Sequence, residues 1–175
     1  MNAQLQEEKL QAGRDVPRRV LFVCTGNTCR SPMAAALLND MGRGHEPCSA
    51  SPEPCVRRYV AASAGLYAAE GDPITPAALD ALREAGVVPV PDADYTAHRA
   101  RMVTRELMEE ADEVVGLTAR HAMELMLRFP EAAPKIRTLP MDITDPYGGA
   151  VEVYRDCLAQ LRYCLTLLYM TEGEI

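Results

Sequence analysis

No run of apolar residues in this chain approaches the roughly 18 that a membrane span needs. The first residues carry Glu7 and Glu8 and no apolar core, so they do not read as a secretory signal. An excess of positive charge is also missing. With 25 acidic against 18 basic side chains the formal net charge is −7, which argues against a general binder of nucleic acid or anionic membrane. There is no internal repeat and no cofactor signature. The histidines, His45, His98 and His121, lack the mutual spacing of metal ligands and read as surface or capping residues. What is present is ordinary for a globular protein: 175 residues, 48% hydrophobic and 25% charged, enough for one domain with a substantial core.

Six cysteines, at 24, 29, 48, 55, 157 and 164, raise the question of a disulfide framework. A chain of this size without an export signal is expected to keep its thiols reduced, which places it in the cytoplasm. Cys157 and Cys164 fall seven apart on an expected helix, about 10.5 Å along its axis, beyond the roughly 7 Å Cα limit of a bridge. They are expected as core thiols.

Strands and helices alternate along the chain. Val20, Leu21, Phe22 and Val23 form a buried run. A helix follows, with Ser31 expected as its N-cap, Pro32 at its first position and Met33, Ala34, Leu37 and Leu38 inside. Residues 59–63 read as a short second strand turned by Ala64 and Gly65. Thr75 and Pro76 open a helix that stops at Gly86, and 87–97 reads as a connecting loop. Thr104 caps a short helix, 114–117 is a third strand, and Thr118 opens a helix reaching Pro130. Residues 136–139 make a fourth strand, 142–149 a loop, and Tyr154, Leu158, Leu161, Leu165 and Leu168 stripe a last helix. This order predicts an α/β fold in three layers, a four-stranded parallel sheet with helices on both faces. Residues 1–17 are expected as a tail before one domain spanning 18–175, with a loop insertion over 42–58.

Ligands of such sheets bind beyond the carboxyl ends of the strands, where Cys24, Gly65, Thr118 and Asp145 all fall. Cys24 ends strand one and Arg30 follows six residues later, at a helix start. Loop amides converging on a helix N-terminus make an anion site. A thiol there is expected to be held as the nucleophilic thiolate. Arg30 offers a planar fork of donors for phosphate oxygens. A nucleotide-binding Walker loop is excluded, because the loop has no lysine. Gly26 and Asn27 suit positive φ. The Ser31 hydroxyl is placed to assist sulfur as well as to cap. A leaving group needs an acid, and both Asp145, stiffened by Pro146, and Asp142 are candidates. Tyr67 either walls a substrate pocket or packs beside strand two.

The loop from Val23 through Cys24, Thr25, Gly26, Asn27, Thr28, Cys29, Arg30, Ser31 and Pro32 to Met33 resembles that of the low-molecular-weight protein-tyrosine phosphatases. So do Ser63-Ala64-Gly65 and Asp145-Pro146-Tyr147, and the resemblance runs from about Arg18 to Leu168. It implies a Rossmann-like crossover and a metal-free, cofactor-free mechanism through a phosphocysteine. In that mechanism Cys24 is the nucleophile, Arg30 and the loop amides hold phosphate, and Asp145 rather than Asp142 is the acid. Thr25, Gly26, Asn27, Thr28, Cys29, Ser31, Tyr67 and Tyr147 would contact substrate, and Cys29 would pair reversibly with the nucleophile under oxidation. The expected partners are phosphorylated proteins, with inorganic phosphate as product and the enzyme a monomer. Thr28, Gly148-Gly149 and Leu66-Tyr67-Ala68 look like the bacterial protein-arginine phosphatase branch, with phosphotyrosine as the alternative substrate. Two other classes remain open. A thiol-coupled arsenate reductase would need further cysteines after strand three, where Leu117, Thr118, Ala119 and Arg120 stand, leaving only Cys48 and Cys55 to serve. An anion-binding module would need neither nucleophile nor acid.

Overall fold

A computed structural model describes residues 16–42 and 59–170. Most of the expected tail, most of the 42–58 loop, His45, Cys48 and Cys55 lie outside the described residues. Four strands form one parallel sheet: β1 (Arg18–Cys24), β2 (Tyr59–Gly65), β3 (Glu113–Gly116) and β4 (Ile136–Thr138), in the order β2-β1-β3-β4. The α/β expectation holds. Between the strands run α1 (Arg30–Met41), α2 (Pro76–Glu84), α3 (Arg105–Glu110) and α4 (Ala119–Arg128), and α5 (Val151–Tyr169) closes the described chain. Among the described residues no helix is long and apolar enough to cross a membrane.

The period-two alternation of β1 builds the three layers. Val20 and Phe22 point to one face and pack with α1, α2 and α5. Leu21 and Val23 point to the other and pack with α3 and α4. Cys157 and Cys164 lie in the first of these cores as buried free thiols. Burial pushes the Cys157 thiol up to about 12 and raises that of Cys164. Residues Arg30 to Asn39 of α1 are all buried, because the helix is wedged between the sheet and its neighbours.

The register brings the strand ends level. Cys24 pairs with Gly65, Val23 with Gly116, and Gly116 with Thr138, so the loops after all four strands open on one edge. Two glycines permit this convergence by their lack of a Cβ. A Cβ at Gly65 would stand 2.7 Å from the Thr25 carbonyl oxygen, and one at Gly116 would stand 2.6 Å from the Ala122 nitrogen. The 87–97 connection holds a single 3-10 turn, Tyr95–Ala97. It is pinned by buried Tyr95, whose hydroxyl donates to the Val87 carbonyl at 2.8 Å.

Candidate active site

Cys24 is the last residue of β1 and Arg30 the first of α1, so the five residues between them make the whole turn. The turn reverses direction at Asn27, which takes the left-handed φ of 57°. Gly26 does not take positive φ, contrary to expectation. Asn suits that position because its short amide can bond locally. Its Nδ2 donates to Ser31 Oγ and Ser63 Oγ, each at 2.9 Å. Its Oδ1 accepts from the Arg101 nitrogen at 2.9 Å, and its carbonyl lies 2.7 Å from His98 Nε2. The N–H groups of Gly26 to Arg30 donate to no protein acceptor among the described residues. They are a ready set of anion donors at a helix N-terminus.

Ser31 is not the N-cap. That position falls on Cys29, without a side-chain cap bond, which leaves Pro32 within the first turn rather than at its start. The Ser31 hydroxyl is engaged elsewhere: it lies 3.0 Å from Cys24 Sγ, accepts from Asn27 and reaches the Ala64 carbonyl at 3.3 Å. A contact with the sulfur and a bond to a buried carbonyl outcompete the local cap. Cys29 is buried, its sulfur 3.5 Å from Thr75 Oγ1 and 3.6 Å from Tyr154 Oη. Burial, and then that sulfur, raise the Tyr154 phenol to about 12. Thr75 heads α2 without a side-chain cap bond, its nitrogen instead donating to the Thr28 carbonyl at 2.9 Å.

The two acid candidates separate in space. Asp142 Oδ1 accepts the Ala119 N–H at 2.7 Å, so it is committed to the first turn of α4, whose N-cap is Thr118. Asp145 Oδ2 pairs with Arg30 Nη2 at 2.7 Å, with its side chain half exposed. Arg30 Nη1 reaches the Ile143 carbonyl at 3.4 Å. Its Nε is the one buried side-chain nitrogen or oxygen among the described residues without a protein partner.

An open cleft of about 540 Å³ unites these groups, with Cys24 and Arg30 at its base and Asp145 on its wall. Thr25, Gly26, Thr28 and Cys29 line it as well, and Tyr67 and Tyr147 stand exposed at its rim. Asn27 and Ser31 brace the loop from beneath, fully buried. Tyr67 is fixed by α4: its hydroxyl donates to Glu124, and the Arg128 guanidinium lies 4.6 Å over its ring. Tyr147 donates its N–H to Asp145 Oδ1 at 3.2 Å.

Of the two described histidines, both expected as surface or capping residues, His98 is half-buried at the C-cap of the 3-10 turn, while His121 is not at the surface. His121 is buried, with Nε2 3.0 Å from Thr25 Oγ1 and Nδ1 3.0 Å from Thr118 Oγ1. Burial, and then the charge of Arg30, push its pKa down to about 4. Burial also lowers that of His98, against its bond to the Asn27 carbonyl. Both rings hold the loop from residues 71 and 96 positions distant, so no spacing rule could have found them.

The chain matches the family model described as low molecular weight phosphotyrosine protein phosphatase over residues 19–172. It is 40% identical over 148 residues to a protein-arginine-phosphatase of Geobacillus stearothermophilus, covering 80% of this chain and 86% of the relative. To the protein-arginine-phosphatase of Bacillus subtilis it is 33% identical over 156 residues, 85% and 93% of the two chains. A solved YwlE arginine phosphatase, a cysteine-to-serine mutant with a phosphorylated active-site serine, superposes with a TM-score of 0.72. It is 28% identical, with 90% of this chain and 99% of that one covered. With its loop, helix and sheet in the matching arrangement, this chain belongs to the low-molecular-weight phosphotyrosine protein phosphatase family.

Proposed function

We propose that the chain hydrolyses phosphorylated protein side chains through a phosphocysteine on Cys24, with protein phosphoarginine as preferred substrate. The observation that carries this is a single cleft holding Cys24, Arg30 and Asp145 at the N-terminus of a buried helix. In the first step Cys24 sulfur attacks phosphorus in line and the bond to the leaving atom breaks. The N–H groups of Gly26 to Arg30 and the Arg30 guanidinium bind the equatorial oxygens. Asp145 gives its proton to the departing nitrogen, which makes it a good leaving group. In the second step Asp145 takes a proton from water as that water attacks the phosphocysteine. Orthophosphate leaves and the Cys24 sulfur departs, with the Ser31 hydroxyl 3.0 Å away to donate to it.

The Arg30–Asp145 pair gives substrate binding a consequence. A phosphoryl group competes for the same guanidinium, so binding frees the Asp145 carboxyl to face the leaving group. Support for phosphoarginine comes from the names of the relatives and from Thr28, a half-buried hydroxyl on the cleft wall suited to a polar guanidino group or an attacking water. One observation favours phosphotyrosine instead: Tyr67 and Tyr147, 62% and 74% exposed, flank the cleft as a ring would need. Phosphorylated proteins are the substrates in either reading. We place the reaction in the cytoplasm, with the enzyme acting as a monomer, free of cofactor.

Initial rates on matched phosphoarginine and phosphotyrosine peptides test this. Phosphoarginine is expected to turn over faster, and Cys24→Ser to abolish hydrolysis of both. Faster phosphotyrosine turnover overturns the specificity, and undiminished hydrolysis by Cys24→Ser overturns the mechanism.

A further inference from the structure

Thr25 follows the nucleophile in sequence, is exposed in the cleft, and has its carbonyl fixed by the Tyr67 N–H at 2.9 Å. Among the described residues its hydroxyl has one protein partner within hydrogen-bond reach, the Nε2 of His121. Behind it, Thr118 Oγ1 accepts the His121 backbone N–H at 3.2 Å as the cap of α4 and meets His121 Nδ1 at 3.0 Å. A line of three side chains therefore connects the start of α4 to the cleft. We propose that His121 is a positioning residue that makes the Thr25 hydroxyl a hydrogen-bond donor to the phosphoryl group bound beside Cys24. This rests on the phosphatase reading above.

The argument is one of proton count. A neutral imidazole carries one N–H and one bare nitrogen. With the proton on Nε2, the ring donates to Thr25 Oγ1, Thr118 donates to Nδ1, and the Thr25 proton is free to point into the cleft. With the proton on Nδ1, Thr118 accepts twice and Thr25 must give its proton to the ring. The cleft then meets only oxygen lone pairs, which repel a phosphoryl dianion. An anion in the cleft selects the first arrangement, and a ring held neutral by burial and by Arg30 can adopt it without adding a charge.

The test is a mutant cycle with a spectroscopic arm. Thr25→Val and His121→Phe are each expected to lower kcat/KM on a phosphopeptide about tenfold, the effect of one hydrogen bond to a charged group. If His121 acts through Thr25, the double variant loses no more than Thr25→Val alone, and Thr25→Ser stays within about twofold of the parent. Multiplying losses, near a hundredfold in the double variant, overturn the proposal, as does a fully active Thr25→Val. Imidazole 15N spectra of the unaltered protein need no variant to fold. Saturating orthophosphate is expected to raise the Nε2–H population of His121, and a ring that stays or becomes Nδ1–H overturns the proposal. Failure of the phosphatase reading would look different, as an unaltered protein that hydrolyses no phosphopeptide.

Discussion

Asn27 does more for the loop than its place between Cys24 and Arg30 suggests. It is fully buried, left-handed at φ 57°, and tied to both edges of the turn by its amide. Replacing it with alanine removes the donors to Ser31 and Ser63, both buried, and the half-buried acceptor of the Arg101 N–H. The unpaired Arg101 nitrogen and the loss of a residue that tolerates left-handed backbone should together cost about 2–4 kcal/mol. Urea denaturation of Asn27→Ala at neutral pH measures this. A midpoint unchanged from the parent would mean that the turn is held by its backbone and by His98 and His121 without the Asn27 amide. Hydrolysis is expected to fall further than stability, because Ser31 loses its partner while standing 3.0 Å from Cys24 Sγ.

At the scale of elements, much was legible because it is local. Apolar runs and caps marked β1, α2, α3, β3 and α4, and Thr104 and Thr118 do cap their helices as expected. That Cys24, Arg30 and Asp145 would meet at one edge of the sheet was legible as well. What could not be read were choices between local and distant partners. Ser31 has the cap residue type, but the sulfur of Cys24, the Asn27 amide and the Ala64 carbonyl claim its hydroxyl. Asp142 and Asp145 are three residues apart in one loop; the resemblance singles out Asp145, and only the folded chain shows Asp142 bound to the Ala119 N–H and Asp145 to Arg30. The junction of β2 with the loop carries a test of this packing. Gly65→Ala sets a Cβ 2.7 Å from the Thr25 carbonyl oxygen and 3.0 Å from the Asn27 nitrogen, and backbone atoms cannot rotate away. The loop must shift, and a shift near 1 Å is expected to lower kcat about a hundredfold, with the far-UV circular dichroism retained. Gly86→Ala, at φ +70° after α2 with nothing nearby, should cost about 1 kcal/mol of stability and leave kcat unchanged. Equal kcat in the two variants would show that the close approach at Gly65 does not set the loop.

For the molecule as a whole, the candidate anion site, with Arg30 and a helix N-terminus, lies on a chain of net charge −7. His121 and His98 sit against that site with their pKa values pushed down, so neither adds a charge to it near neutral pH. The consequence is a dependence of stability on acidity. In the unfolded chain a histidine titrates near 6.5, while folded His121 titrates near 4. Between these values the unfolded state binds more protons, so stability rises with pH and is full above about 6.5. Acidification withdraws it through that window, to a limit of about 3 kcal/mol for His121 below pH 4, and His98 acts in the same direction. Glu84, Asp94, Glu106 and Glu124 are held below their usual values by their partners, so they also weaken the fold in acid, at lower pH. A comparison with His121→Gln removes that shared background. The parent should lose stability relative to the variant by up to about 3 kcal/mol between pH about 7 and 4, read from urea midpoints. Curves that run parallel over this window would mean that the ring takes up its proton without breaking the fold, and that the line from Thr118 to Thr25 survives a charged imidazole.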